Sequence, residues 1–521
     1  MKTKIKRYTK GLFLLSMLTM PVIGFAQDGA LDLSFDNDGF VTTAIGADND
    51  VVNSIAIQSD GKMVVAGYSS NGPFEDFTIL RYNTDGSLDQ SFGTDGIVIT
   101  NIVPYQEAAT SVALQSDGKI VAVGYVSIAD SFDFVVVRYN TDGSLDTTFD
   151  SDGIVTTSIG EGNDLAVSMI IQDDGKIVSA GESSNGDNDD IALIRYNTDG
   201  SLDTSFGNDG IVTTDIDNTD NVGVSIALQS EGKLVVAGVI TQPTGYDTAL
   251  LQYNSDGSLD NSFGSNGMTL TGIDNSDEVA ASVVIQGDAK IVVAGYGGNG
   301  ANYDVTLQRY DVNGSLDLTF DNDGMVTTAI GTSGDRAFSA AIQSDGKILA
   351  AGYSTVGSNL DIAVLRFNTN GSLDNSFDGD GIVTTPIGQS DEGATFVTLQ
   401  NDGKIVVGGF SRDGADYDFA VLRYNNPSIN TDVNESAEQE MRYAVFPNPF
   451  SASATIILGR PCVNANITVY NALCEQVLNL NNISGHSIIM HRNDLPAGVY
   501  YVQLTEGNLT SLEKIIISDM E

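Results

Sequence analysis

The sequence repeats itself every 57 residues, seven times, without an insertion or a deletion. A Leu-Asp pair marks the period at Leu31, Leu88, Leu145, Leu202, Leu259, Leu316 and Leu373, and a lysine keeps step from Lys62 to Lys404. So regular a period obliges every unit to fill the same space. One unit reads as four strands: Ser54–Gln58, Lys62–Tyr68, Phe77–Asn83 and Gly96–Thr100, with Asp-Gly turns after the first and the third. Runs such as Ile120-Val121-Ala122-Val123 are apolar at consecutive positions, the pattern of strands covered on both faces.

Seven units of four short antiparallel strands predict an all-β fold, a seven-bladed β-propeller over residues 28–426. A parallel β-helix would need a shorter period. The array begins with a fourth-type strand, Gly39–Thr43, and ends with a third-type strand, Phe419–Asn425. The last blade thus lacks its outer strand, and the first segment has one to spare. Pairing the two closes a ring.

Residues identical in every unit read as scaffold. Gln58 and Asp76, with their six equivalents each, are expected to satisfy backbone groups where blades meet. Phe35 through Phe377 are expected to plug the spaces between blades. Arg81, Arg138, Arg195, Arg309, Arg366 and Arg423 are expected to pair with the Leu-Asp aspartates, Asp32 through Asp374, with Gln252 standing in for arginine once. Asp-x-Asp-Gly occurs at Asp36/Asp38, Asp150/Asp152, Asp321/Asp323 and Asp378/Asp380, but three units carry glycine first. Turn formation explains it, with structural calcium as the alternative. No other cofactor or metal is expected.

The charge balance narrows the partners. Lys+Arg number 24 against 69 Asp+Glu, a net charge of −45, which repels nucleic acid and anionic membranes. Five of those cations lie in a basic start followed by the apolar run Gly11–Ala26, which reads as a signal peptide (1–26) cut after Ala26. The mature chain then carries about 19 − 69 = −50, and no later stretch is apolar enough to span a membrane.

The composition shifts after Asn426. Residues 427–442 read as a linker, and 443–521 as a small Ig-like β-sandwich without the repeat. Both cysteines, Cys462 and Cys474, and both histidines, His486 and His491, lie in this last module. The cysteines fit either a bridge or two free thiols.

Units such as Gln343-Ser344-Asp345-Gly346-Lys347-Ile348, followed by Leu365-Arg366-Phe367-Asn368 and Gly371-Ser372-Leu373-Asp374, resemble the delta-60 repeat family of bacterial propellers. The family implies a fold and no established chemistry. The C-terminal module resembles the type A sorting domain of the type IX secretion system of Bacteroidota. The matching residues are Phe446-Pro447-Asn448-Pro449, Leu495 to Tyr500 with Gly498, and the closing run with Lys514; Cys474 departs from the usual glycine. The resemblance implies passage across the outer membrane, the secretion machinery as a partner, and a secreted or cell-surface location.

Alternate loops of a four-stranded blade share a face. Loops one–two and three–four are nearly invariant, whereas loops two–three and four–one differ between blades. Ligand binding is expected on the differing face, from Asp48, Asp50, Phe74, Tyr105, Asp187, Asp189, Tyr246, Asp274, Asp277, Tyr303, Asp416 and Tyr417. The propeller has no His, Cys or Trp, which removes histidine acid–base and thiol chemistry. The reading is a non-catalytic binding or structural propeller with an extracellular glycan or protein ligand. The alternative is a carboxylate-based polysaccharide hydrolase or lyase.

Overall fold

The computed structural model describes residues 27–426 apart from 71, 129–130, 244, 273–275, 299, 301 and 389, and residues 443–518 apart from 447–449, 472–475, 493–494 and 507–508. The signal peptide with Ala26 and the linker 427–442 lie outside the described residues. The chain divides into two compact units, Met1–Asn430 and Thr431–Glu521.

In the first unit the first blade runs Asp50–Ile57, Met63–Ser70, Glu75–Tyr82 and Ile97–Thr100, antiparallel and in sequence order. Five more blades repeat this order. The seventh has three strands of its own, Glu392–Leu399, Ile405–Asp413 and Asp416–Tyr424. Phe40–Thr43 completes it, with Phe40 opposite Leu422 and Thr43 opposite Phe419. Inner strands of successive blades touch around a closed cycle, the seventh lying against the first. The ring is shut as its two ends predicted.

The core lies between blades. Met63, Val64, Val65 and Ala66 are all fully buried, because strand two has a neighbouring sheet on either face. Each such side chain larger than alanine contributes ~1.5–3 kcal/mol. Phe35 and its six equivalents are fully buried plugs. Over Phe92 lies the Arg81 guanidinium, 4.5 Å from the ring centre. Arg81 Nε donates to Asp89 at 2.7 Å, and Arg81 Nη1 donates to the Thr141 carbonyl in the next blade.

The expected arginine–aspartate pairs therefore form, with a second cation that sequence reasoning missed. Lys62 Nζ donates to the same Asp89 oxygen at 2.8 Å, and every unit has this lysine contact. In the fourth unit Gln252 turns to Gln229, and Lys233 is the cation on Asp260, which also accepts from the Ser262 amide and hydroxyl. At the closure Arg423 and Lys404 share Asp32, while Asp28 reaches Arg366 at 2.6 Å. Burial alone would raise the Asp32 carboxyl, but bonds from Lys404 and Ser34 and the Arg423 charge hold it at about 2. A second strut joins Tyr139 to Thr100 (2.6 Å) and recurs in each unit except where Phe367 stands opposite Thr328.

Gln286 and Gln400 donate to carbonyls of the next blade, at Gly346 and Gly61, as expected of that position. The Asp76 position differs from expectation. It lies inside strand three and takes its bonds from side chains, as Asp190 does from Asn185 and Asn188. In the Asp-x-Asp-Gly turns the second aspartate accepts from the amide two residues on, as Asp152 does from Ile154 at 3.0 Å. The first aspartate takes a positive φ, 45° at Asp150.

The second unit is a five-stranded antiparallel sheet of Tyr443–Phe446, Ser453–Asn471, Gln476–His491, Gly498–Glu506 and Leu509–Ile517. Register shifts interrupt the two long strands, and residues from both halves of the first, Ile456 and Val469, enter one buried cluster with Val502 and Ile515. This unit thus has one hydrogen-bonded sheet and one buried cluster of its own. Tyr500 is buried and donates to the Pro496 carbonyl at 2.9 Å; Gly498 pairs with Ile517 and Lys514 with Tyr501. Phe446 ends the first strand, and Pro447, Asn448 and Pro449 lie outside the described residues, as does Cys474. Cys462 stands opposite Gly485 in the register.

Candidate functional site

A bulge in each inner strand prepares the site. Between Val52 and Ser54 the pairing slips by one residue, and the Val51 carbonyl presses on strand two. A Cβ on Gly67 would come within 1.9 Å of that oxygen, so only glycine fits, and every unit has it. The residue after this glycine is Tyr68, Tyr125, Glu182, Val239, Tyr296, Tyr353 or Phe410, each half-buried. Beside it, within the first two residues of strand three, stands Glu75, Phe132, Asp189, Tyr246, Tyr303, Leu360 or Tyr417.

These two positions make an aromatic belt. Tyr125 meets Phe132 edge to face at 5.2 Å between ring centres, Tyr296 meets Tyr303 at 5.4 Å, and Phe410 meets Tyr417 at 4.9 Å. Tyr296 and Tyr353 also touch Phe338, which lines a central channel of about 300 Å³ with Ser54, Ser168 and Phe396. The belt therefore reaches the channel. Tyr125 donates to Glu75 across two blades at 3.3 Å, and Gln106 to the same oxygen at 3.0 Å.

The residues expected to bind ligand fall into three groups. Tyr246, Asp277 and Tyr303 converge: Asp277 accepts from the Tyr246 amide at 3.2 Å and from the Tyr303 hydroxyl at 2.7 Å. Tyr417 packs on Phe410 and Arg412, next to Asp416 at the start of strand three, and Asp189 joins Glu182. Phe74 and Tyr105 form an exposed edge-to-face pair at 5.9 Å; Asp48 is exposed and accepts from the Gly72 amide, while Asp187 is exposed at a loop tip. That bond between loops four–one and two–three puts both on one face. Asp274 lies outside the described residues.

Asp50 requires correction. It is fully buried and accepts from the Ile45 amide at 2.7 Å, bracing its own loop instead of facing ligand. Glu107 does the same for Ile102 and Val103, and burial with the neighbouring Asp76 charge lifts its carboxyl to about 7. Sequence reasoning also missed the belt position itself. Its signal was present: a variable residue directly after an invariant glycine.

One carboxyl of the belt and several of its tyrosines are electrostatically unusual. Burial first, then Asp189 and Asp220, raise Glu182 to about 7. Burial with the Glu75 charge pushes Tyr68 up to about 12.

A family model described as a domain of unknown function (DUF5122) β-propeller matches residues 58–92, 115–149, 172–206, 229–263, 286–320, 343–377 and 400–426. The chain belongs to this propeller-repeat family. A secretion system C-terminal sorting domain matches residues 444–518. This DUF5122 propeller is therefore a type IX secretion cargo, addressed to the cell surface or the extracellular space through that machinery. No helix among the described residues is long and apolar enough to cross a membrane. No curated protein matches the sequence. The solved structure of a polysaccharide lyase, Uly1, is similar at 10% identity over 78% of this chain and 94% of its own, with a TM-score of 0.43. A GH43_12 protein from a capybara gut metagenome is similar at 11% identity over 93% and 85%, with a TM-score of 0.28. Likeness at this level bears on neither activity nor substrate.

Proposed function

We propose that the propeller is a non-catalytic module that binds an extracellular polysaccharide on its variable face. The carrying observation is the aromatic belt beside the channel, where half-buried rings stand among hydrogen-bonding groups such as Asp277 and Glu75. Aromatic faces suit the C–H faces of sugars, and the polar groups between them suit hydroxyls. Rigid blades hold the rings apart before ligand arrives, which lowers the entropy lost on binding. A glycan array on the secreted protein, read for both retention and chain cleavage, tests the assignment. Retention without products supports it, and loss of retention in Tyr353→Ala with unchanged melting places the contact on the belt.

A second reading, a carboxylate-based hydrolase or lyase, draws on Glu182. A carboxyl raised to about 7 beside Asp189 has the protonation state of a general acid at neutral pH. Accumulating reducing ends or unsaturated products, abolished in Glu182→Gln, would replace the first reading with this one.

A further inference from the structure

We propose that Arg336 and the tyrosines around it form a subsite for an oxyanion carried on a sugar ring, a carboxylate or a sulfate ester. The inference rests on the polysaccharide-binding reading and narrows its ligand to acidic chains.

Residues 27–426 contain fifteen lysines and arginines. Thirteen occupy the two repeated cation positions and pair with the Leu-Asp aspartates, as Arg81 and Lys62 do with Asp89. Another, Arg412, lies 3.4 Å from Asp391. Arg336 is left. Among the described residues no carboxylate comes within ion-pair distance of it. Its guanidinium instead lies 4.8 Å from the centre of the Tyr296 ring, 4.9 Å from Tyr303 and 5.9 Å from Tyr353.

The position is a departure from the repeat. Where Arg336 stands, the other blades have Val51, Ala108, Leu165, Val222, Val279 and Gly393, all small or aliphatic. The scaffold thus has no use for a cation there, and the long charged side chain lies among tyrosines that blades five and six supply. Cation–π contacts hold a guanidinium without neutralising its charge and without engaging its N–H donors in an ion pair, so both remain for another partner. A planar fork of donors matches an oxyanion in bidentate fashion. Asp277, tied down by Tyr303, is the acidic group of this cluster; its acceptors are turned to the Tyr246 amide and the Tyr303 hydroxyl.

The overall charge sharpens the argument. A chain at −45 repels polyanions over most of its surface, so a general affinity for acid would need many cations. One arginine without an ion-pair partner among the described residues, set among tyrosines, serves a different purpose, recognising a single charge at a fixed register along a sugar chain. Phe338, in contact with Tyr296 and Tyr353, gives that sugar an apolar floor.

The test is calorimetry on the secreted protein with three probes: a glucuronate-containing oligosaccharide, its carboxyl-reduced neutral counterpart, and the neutral chain carrying sulfate esters. The expected result is binding of one acidic probe about tenfold or more tighter than the neutral one, with the better of the two naming the oxyanion. Arg336→Gln should erase that preference, and Arg336→Lys should keep part of the charge effect while losing the bidentate geometry. Melting temperatures of both variants should match the parent, since no blade contact depends on an ion pair there. Equal affinity for neutral and acidic probes, unaltered by Arg336→Gln but weakened by Tyr353→Ala, would overturn the subsite and leave the binding face standing. Failure of every probe to bind would overturn both.

Discussion

The two faces of the propeller are built from the same blades and follow opposite rules. On the constant face the blades repeat one network, lysine and arginine on a buried aspartate with the guanidinium on a phenylalanine, and the fourth unit keeps the lysine alone of the two cations. On the variable face one backbone position carries tyrosine, glutamate, valine or phenylalanine. The difference separates two tasks. Removing one partner from a buried ion network is costly, so the constant face varies little, and where Gln252 replaces the arginine its side chain finds a new partner in Gln229. The belt is half-buried and bears little of the ring's stability, so it is free to diverge.

The contrast can be broken most forcefully at the closure. Deleting residues 28–43 removes the strand on Asp416–Tyr424, the Phe35 plug and the aspartate under Arg423 and Lys404. The expected outcome is loss of the single cooperative thermal transition, measured by calorimetry. A parent-like melting curve would mean that the ring does not need its first segment.

The next test compares two units of the constant face. Asp89 carries an arginine and a lysine, whereas Asp260 carries a lysine alone. Asp89→Asn should lower stability by ~3–5 kcal/mol, because it leaves a buried arginine uncompensated. Asp260→Asn should cost only ~1 kcal/mol, since its partner is half in solvent. Equal losses in denaturant titrations would show that the arginine adds nothing.

Acidity separates the faces as well. The carboxyls of Asp50, Glu107, Asp133, Asp247, Asp361 and Glu392 are raised by burial, in several cases with a like charge nearby. A raised group penalises the native state once ionised, and the penalty fades as pH falls through the folded value toward the unfolded one. The Leu-Asp aspartates, Asp32 and Asp89 among them, are lowered, and their contribution persists until pH drops below about 4. The melting temperature should therefore rise from about pH 8 to about pH 5, then fall steeply below about pH 3. A monotonic rise toward alkaline pH would contradict the buried acids of the variable side.

The smallest effect is a repair. Phe367 interrupts the tyrosine–threonine strut opposite Thr328. Phe367→Tyr should add ~0.5–1 kcal/mol by supplying the hydroxyl that six other units have. No gain would indicate that the hydroxyl's lost hydration cancels the new bond.

The period, the four-strand unit and the unmatched ends determined the ring from sequence alone, because blade geometry admits one solution for seven equal repeats with an offset. The Leu-Asp pairs and the phenylalanine plugs were legible for the same reason: a residue present in every unit has to serve what every unit shares. Binding residues were less legible. Asp50 looks like a surface acid in a variable loop, and only the fold turns its side chain inward onto the Ile45 amide. Ser54 and Phe338 are 284 residues apart in the numbering of the chain, and nothing local tells that both line one channel. Arg336 is the sharpest case. In sequence it is one more cation among many, and its lack of an ion-pair partner among the described residues became visible only when thirteen others had found their aspartates. Local pattern is set by neighbours along the chain, whereas exposure, pairing and charge isolation are set by neighbours across space.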